Sequence, residues 1–393
     1  MMLSGALAFQ IAEPEAIAPL RGPGLLCTPV ASRTTRYEVF LRDGPPEAGL
    51  RELAGWLGEH RALVVTTPTV RARWGAALAP LGGPRVRLLE LACDERSKGL
   101  ALVERICAEA MRAGLGRRDF IVGVGGGVCT DLCTMAASVY KRGVRHLRVP
   151  TTLVGQVDAS IGVKGAVNFC GFKSHLGCFH APWRVLVLPA FLATLPVRRL
   201  REGLAEIVKI ALVRDPALFD LVERHGRGLL AAGFQAPPAV AWEVLERASL
   251  RMIEELQPNL FEDRTYERLV DFGHTFSIPL EPATGHALSH GEAVAVDMAL
   301  SMEIAVLLGL APAALRDRVL ALLQALGLPT WSEHLDLGLC HAALEQAVAH
   351  RGGRPNLVLP TQVGRALFLT SSAGLPPALL EAALQRLRLA QGC

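Results

Sequence analysis

The sequence predicts an α/β region followed by a mainly α-helical one, and three observations carry that fold class. Short β-prone runs alternate with helically spaced segments up to about residue 186, and Ala/Leu-rich segments of 3.6-residue periodicity dominate afterwards. A glycine cluster, Gly123-Val-Gly-Gly-Gly-Val128, stands between an apolar run and a helical one. With 393 residues, 51% apolar and 20% charged, the chain can fill two cores and is not disordered. A formal net charge of +4 on this length, without any block of like charge, gives no reason to expect nucleic acid.

Taken in order, residues 1–35 are rich in Ala, Pro, Gly and Arg without periodicity and read as a loose leader. Tyr37–Leu41, Ala62–Thr66 and Val86–Leu91 read as strands, and Ser97–Ala113 as a helix. Asp119–Val124 is a strand that runs into the glycines, and Val128–Tyr140 is the helix beyond them. Residues 36–186 therefore form an α/β domain with a largely parallel sheet. Ala193–Val213, Pro237–Leu256, Glu292–Leu308, Ala313–Leu326 and Pro377–Leu389 make residues 187–393 a helical domain. Nine cysteines without a CxxC pair read as reduced thiols. The N-terminus has no signal-peptide pattern, and Asp297 and Glu303 interrupt the apolar stretch Ala293–Leu310. A cytoplasmic protein without a membrane span is expected.

The glycine turn is the first chemical feature. Backbone amides at Gly125, Gly126 and Gly127, together with a helix N-terminus, can cradle a pyrophosphate, and Asp131 lies one turn into that helix. The Rossmann fingerprint does not fit, because its third glycine would fall at Val128, and a tight turn without a ligand is the competing reading. Glu95 and Lys98 can serve ribose hydroxyls and phosphate or simply form a solvated turn. Thr151 and Thr152 offer hydroxyls at a strand end or form an ordinary ST-turn.

The segment from Val149 to Lys164 places Asp158 and Lys164 in an otherwise small and apolar stretch, with Asn168, Lys173 and His175 in a glycine-punctuated loop beyond. Asp158 and Lys164 either neutralise each other or bind something. Lysines are scarce, so Lys164, Lys173 and Lys209, with Arg142, stand out as partners for a phosphate ester. Glu206 and Lys209 share a helical face at i, i+3, either as a surface ion pair or, given their apolar neighbours, as a buried functional pair. His274 and His290 lie in two cassettes, Asp271-Phe-Gly-His-Thr-Phe276 and Ser289-His-Gly-Glu-Ala-Val294, and either could be a hydrogen-bonded core histidine. With Glu206 they can instead form a His2Glu site with an open coordination position, the arrangement of a catalytic zinc.

Seven motifs run in an order that resembles the dehydroquinate synthase-like sugar phosphate cyclases. They are Gly125-Gly-Gly-Val-Cys-Thr-Asp131, Pro150-Thr-Thr-Leu153, Gln156-Val-Asp-Ala-Ser160, Gly162-Val-Lys164, Ala205-Glu206, Gly273-His-Thr275 and His290-Gly-Glu-Ala-Val294. The resemblance covers roughly residues 36–390. It implies an N-terminal Rossmann-like NAD-binding domain, a C-terminal mainly α-helical metal-binding domain and a site between them. It also implies zinc, replaceable by cobalt, on Glu206, His274 and His290. NAD would contact Gly125, Gly126, Gly127, Asp131, Thr151 and Thr152, with Glu95 and Lys98 at the nucleoside end. Asp158, Lys164, Lys173, Lys209 and Arg142 would meet the substrate's phosphate and hydroxyls, and a homodimer is implied as well.

Within that family the chain departs from dehydroquinate synthase. Asp271 replaces Asn, Ile278 replaces a second His, Gly-Val-Lys-Gly stands at 162–165, and Ala349-His-Arg351 replaces Asp-Lys-Lys. An anionic Asp271 suits a neutral hydroxymethyl ketone better than a 2-keto acid. The Asp271 cassette, Val294–Ser301, Gly171-Phe-Lys173 and His350-Arg351-Gly352 resemble the 2-epi-5-epi-valiolone synthase branch, although Ser174-His175 and Ile278 differ from its usual residues. That resemblance adds His350 and Asp271 to the expected catalytic set. It implies a redox-neutral conversion of sedoheptulose 7-phosphate: NAD takes up and returns a hydride, phosphate leaves, and an intramolecular aldol step closes the ring. Another sugar phosphate cyclase (2-epi-valiolone, desmethyl-4-deoxygadusol or dehydroquinate synthase) and a metal-dependent polyol dehydrogenase are the alternatives.

Overall fold

A computed structural model describes residues 20–22, 25–27 and 35–390. The chain divides into two compact units, residues 1–36 and 37–393. In the first, β1 (Leu20–Gly22) pairs antiparallel with β2 (Leu25–Cys27). The rest of the expected leader lies outside the described residues.

The second unit opens with a doubly wound sheet of β3 (Glu38–Leu41), β4 (Ala62–Thr66), β5 (Val86–Glu90), β6 (Phe120–Gly125), β7 (Arg145–Pro150) and β10 (Arg184–Val187). Its strand order is β3-β10-β7-β6-β4-β5, and every pairing is parallel. Central β4 and β6 are buried throughout, whereas edge strand β5 is largely open, so the inner strands read as continuous apolar runs. Alternate side chains serve opposite faces. Phe120, Val122 and Val124 pack with Leu50, Leu53 and Leu57 of α1 (Pro46–Leu57). Leu63, Val65 and Ile121 pack with α3 (Leu100–Arg112) and α4 (Gly127–Val139). The short α2 (Pro68–Trp74) follows β4.

Between β7 and β10 the chain leaves the sheet. Gly155–Ala159 forms a π-type turn, and residues 164–179 form an antiparallel hairpin, β8 (Lys164–Phe169) with β9 (Phe172–Phe179). The glycine-punctuated loop expected here is thus a two-stranded flap; its glycines interrupt the alternation by which a strand is recognised.

Helices dominate the remainder: α5 (Val197–Arg214), α6 (Pro216–Ala231), α7 (Pro238–Leu256), α8 (Ser277–Ala283), α9 (His290–Leu307), α10 (Ala313–Ala325), α11 (Leu337–His350) and α12 (Pro377–Ala390). One hairpin, β11 (Leu357–Gln362) with β12 (Arg365–Leu369), interrupts them, which agrees with a mainly rather than wholly helical region. The start of α5 shifts to Val197 because a 3-10 turn occupies Pro189–Thr194. Helix α9 is buried along most of its length, as a centre of the helical core.

Close approach of α5 and α9 sets up everything that follows. A Cβ on Gly291 would stand 2.4 Å from Glu202 Cα, so only glycine admits this crossing. His290 and Glu206, one residue before Gly291 and one turn beyond Glu202, are thereby brought together. Gly291→Ala should lower stability by about 1–3 kcal/mol or more through overpacking. By contrast Gly228→Ala, at an exposed α6 position with no atom near its would-be Cβ, should stabilise by about 0.5–1 kcal/mol. Urea denaturation checks both; equal responses would contradict the close-packing account.

Candidate active site

The glycine turn lies at the carboxyl edge of the sheet. Strand β4 is flanked by β5 on one side and by β6 on the other, so chain order reverses there and leaves a crevice at the strand ends. β6 ends at Gly125, α4 starts at Gly127, and Gly126 between them provides no side-chain cap. The first amides of α4 therefore lack intrahelical acceptors. A Cβ on Gly125 would lie 2.7 Å from Cys129 Cβ, and one on Gly126 would lie 3.0 Å from Thr152 Cγ2. Any side chain would fill this cradle, which suits the close approach of a pyrophosphate. Thr151 donates its amide to Gly125 O (2.9 Å), and Thr152 Oγ1 accepts from Gly155 N (3.2 Å), so both threonines also hold the turn itself.

Lys98 and Asp131, expected to serve a ligand separately, form a buried ion pair at 2.5 Å. Burial alone would lower the Lys98 pKa, but Asp131 and Glu95 raise it. Asn168 donates to Glu95 O (2.8 Å) and Oε1 (3.0 Å), closing the 95–98 segment against the hairpin. A cavity of about 310 Å³ opens between that segment, the hairpin tip around Phe172 and Pro282 of α8.

Deeper in, Glu206 of α5, His274 and His290 converge with one donor atom each, all within 4.8 Å of one another. His290 Nε2 lies 2.9 Å and His274 Nε2 3.8 Å from Glu206 Oε1. Local sequence explains the placement. Gly273 adopts φ +73° with its would-be Cβ 3.0 Å from Val294 and Met298 side-chain atoms, and His274 follows at once. Asp297 of α9 then accepts from the amides of Thr275 (2.8 Å), Phe276 (2.5 Å) and Ser277 (2.9 Å), clamping the cassette to the helix that His290 begins. Ser289 N donates to Glu292 Oε2 at 2.8 Å, capping that helix.

These residues fit a zinc-type ion. Neither Glu206 oxygen has a hydrogen bond of acceptable geometry, although Lys209 Nζ stands 2.7 Å from Oε2. His274 Nδ1 lies 3.2 Å from Phe272 O and His290 Nδ1 lies 2.8 Å from Glu281 Oε1, so both Nε2 atoms face the shared centre. Glu206 has no exposed side-chain surface, while His274 (22%) and His290 (32%) keep an open side, as a site with a free coordination position requires. Burial opposes ionisation of Glu206, but Lys209 and the two imidazoles hold it well below the usual carboxylate range. Burial pushes His274 down to about 3, which keeps it a neutral donor.

Lys209 bridges this centre to the π-type turn, donating to Asp158 Oδ2 at 2.9 Å. Asp158 thus pairs with Lys209 rather than with Lys164, as its sequence position had suggested; the π-type turn directs it towards α5. Lys164 instead pairs with Glu262, which also holds Arg268. The loop carrying Lys164 is held by all its carbonyls. Buried Arg148 donates to the oxygens of Ser160 (3.3 Å), Gly162 (2.7 Å) and Lys164 (2.9 Å), Tyr37 Oη to Ile161 O (2.8 Å), and His180 N to Val163 O (2.8 Å). Lys164 faces an opening, with 52% of its side chain accessible, yet protein on the other sides removes enough water to push its pKa down to about 8, with Arg268 adding to the effect.

Asp271 is engaged by Arg268 and lies 3.9 Å from Arg351. Burial would raise its pKa, but these guanidiniums hold it far below the usual range. Asp271 is therefore an anion shared by two arginines. Arg351 also donates to His274 O at 3.0 Å. His350 ends α11 exposed, and partial burial followed by the positive charge of Lys164 lowers its pKa. Arg142 is exposed and lies beyond the far end of α4, about 20 Å from the glycine turn, so the chain does not bring it to this cluster.

Sequence reasoning missed Glu281, Glu262 and Arg268. A carboxylate inside the apolar Pro279-Leu-Glu-Pro282 was the available signal for Glu281, since a buried charge requires partners. If the three-donor centre binds metal, His274→Ala should abolish stoichiometric Co²⁺ uptake while circular dichroism stays unchanged; full uptake by the variant would contradict the assignment.

Residues 88–202 match the 3-dehydroquinate synthase N-terminal family and residues 203–348 the 3-dehydroquinate synthase C-terminal family. The 2-epi-5-epi-valiolone synthase of Streptomyces glaucescens is 43% identical over 366 residues, covering 90% of this chain and 92% of that protein. The 3-dehydroquinate synthase of Halorhodospira halophila is 36% identical over 332 residues, covering 84% of this chain and 92% of that one. ValA, a 2-epi-5-epi-valiolone synthase from Streptomyces hygroscopicus subsp. jinggangensis solved with NAD+ and Zn2+ bound, superposes with a TM-score of 0.86 at 40% identity, covering 92% of this chain and 99% of that structure. The chain belongs to the dehydroquinate synthase-like sugar phosphate cyclases, on their 2-epi-5-epi-valiolone synthase side.

Proposed function

We propose that this protein converts sedoheptulose 7-phosphate to 2-epi-5-epi-valiolone with release of phosphate. One observation carries the proposal: the Glu206–His274–His290 centre lies in one polar network with Lys209 and Lys173, in a chain 43% identical to a 2-epi-5-epi-valiolone synthase. Support for that branch over dehydroquinate synthase comes from Asp271, held as an anion by Arg268, and from Ile278, whose apolar side chain stands 37% exposed where a second histidine is expected.

Residues 36–186 would form the NAD-binding domain and 187–393 the metal and substrate domain; the main sheet ends at Val187, which supports that division. Gly125, Gly126, Gly127, Asp131, Thr151 and Thr152 would hold NAD, with Glu95 and Lys98 alongside, and Glu206, His274 and His290 would hold zinc or cobalt. When bound, NAD supplies hydride uptake and return, and the metal supplies Lewis-acid polarisation of a substrate oxygen.

The chain's own groups do the rest. Lys164 and Lys173 meet the phosphate as mobile cations, and each must first release a carboxylate, Glu262 or Glu281. Lys209, fixed between Asp158 and Glu206, remains protonated and offsets negative charge that develops on the substrate. Asp158 orients Lys209 and accepts from a substrate hydroxyl. Asp271 and His350 would face the hydroxymethyl ketone end. Holding both reacting carbons of one molecule in a single pocket favours ring closure by proximity. A homodimer working in the cytoplasm belongs to the same proposal. No helix among the described residues is long and apolar enough to cross a membrane.

Incubation with sedoheptulose 7-phosphate, NAD and zinc should release one phosphate per cyclitol without build-up of NADH absorbance, and NMR should identify 2-epi-5-epi-valiolone. Stoichiometric NADH would indicate a polyol dehydrogenase instead, and another cyclitol would indicate a sister cyclase. Because Lys164 loses its proton near pH 8, kcat/KM should fall as pH rises through about 8. Lys164→Arg should remove that alkaline limb, since a guanidinium stays charged; an unchanged limb would assign it to another group.

A further inference from the structure

The polar chain does not stop at His290. Glu281, on α8 and 5% exposed, takes His290 Nδ1 at 2.8 Å on Oε1 and Lys173 Nζ at 2.8 and 2.6 Å on Oε1 and Oε2. Three separate elements meet on this carboxylate: the β8–β9 hairpin through Lys173, α8 itself, and the first residue of α9. On its far side His290 presents Nε2 to Glu206 at 2.9 Å.

We propose that Glu281 is a positioning residue that fixes His290 with Nε2 turned into the three-donor centre and couples that orientation to Lys173 on the hairpin. The inference rests on reading Glu206, His274 and His290 as a metal site. An imidazole can offer either nitrogen, and the hydrogen bond made by one decides which remains a donor. A carboxylate on Nδ1 also increases the basicity of Nε2, and loss of such a partner typically weakens metal binding about 10–100-fold. Lys173 shares the same carboxylate and therefore withdraws negative charge from His290. An anion that draws Lys173 away would leave Glu281 wholly to the imidazole, so ligand and metal affinities should reinforce each other. In that way the flap reports to the metal centre without touching it.

The test is a Co²⁺ titration of the metal-stripped, full-length protein against a chromophoric chelator, with the visible Co²⁺ spectrum recorded alongside. Glu281→Gln, which preserves size and should preserve folding, is expected to weaken Co²⁺ binding about 10–100-fold and alter the spectrum. Lys173→Met is expected to act in the opposite direction, tightening binding several-fold, and to have no effect in the Glu281→Gln background. A purely structural role would lower the melting temperature of Glu281→Gln without changing affinity or spectrum, and that result overturns the proposal. Wild-type affinity in Glu281→Gln beside lost affinity in His290→Ala overturns it as well, leaving the metal reading intact. Wild-type protein that takes up no Co²⁺ overturns the metal reading and the positioning role with it.

Discussion

The carboxylate of Glu206 is the constraint around which the molecule is arranged. It has essentially no solvent contact, and a buried carboxylate persists only when cations and hydrogen-bond donors surround it. Lys209 from the same helix and the imidazoles of His274 and His290 meet that demand. Each requires its own concession from the chain. Gly291 lets α9 reach α5, Gly273 turns the backbone ahead of His274, and Asp297 fastens the amides beyond it. On the other side Lys209 reaches Asp158, so one buried helix links the metal-type centre to the segment leaving the parallel sheet.

A second regularity concerns charge. Lys98, Lys164, Lys173 and Lys209 all pair with carboxylates: Asp131, Glu262, Glu281 and the couple Asp158 and Glu206. None waits as a bare cation. Under the proposed function an incoming phosphate would have to displace a carboxylate, and its greater charge and three acceptor oxygens would favour that exchange. Such pairing keeps the crevice from carrying uncompensated charge. Lys209 is the exception in kind: two carboxylates hold it and only 2% of its side chain is exposed, so it serves as a fixed charge.

Much of this was legible in the sequence. Continuous apolar runs marked the inner strands, and the cassettes around Glu206, His274 and His290 pointed to ligands that the fold brings together. The local pair of Glu206 with Lys209 at i, i+3 was legible too, but partners distant in sequence were not. Periodicity assigns residues to faces but does not say which loop meets which helix, so Lys164, six residues away, is the partner the sequence suggests for Asp158, if it has one, and Lys209 on α5 is not foreseen. Glu281 lay hidden between prolines in a helix of seven residues, too short for a periodic pattern. The β8–β9 flap was missed because Gly165 in β8 and Gly177 in β9 break the alternation. Arg142 was grouped with the lysines as a cation near the motifs, although the helix read over Val128–Tyr140 already separates it from the glycine turn by the length of α4.

The most direct measurement is X-ray absorption at the zinc edge on the purified, zinc-loaded protein. A first shell of nitrogen and oxygen at about 2.0–2.2 Å is expected, with the outer-shell scattering of two imidazoles and no sulfur. Sulfur at about 2.3 Å, or no imidazole scattering, would place the metal elsewhere and contradict the central role given to Glu206.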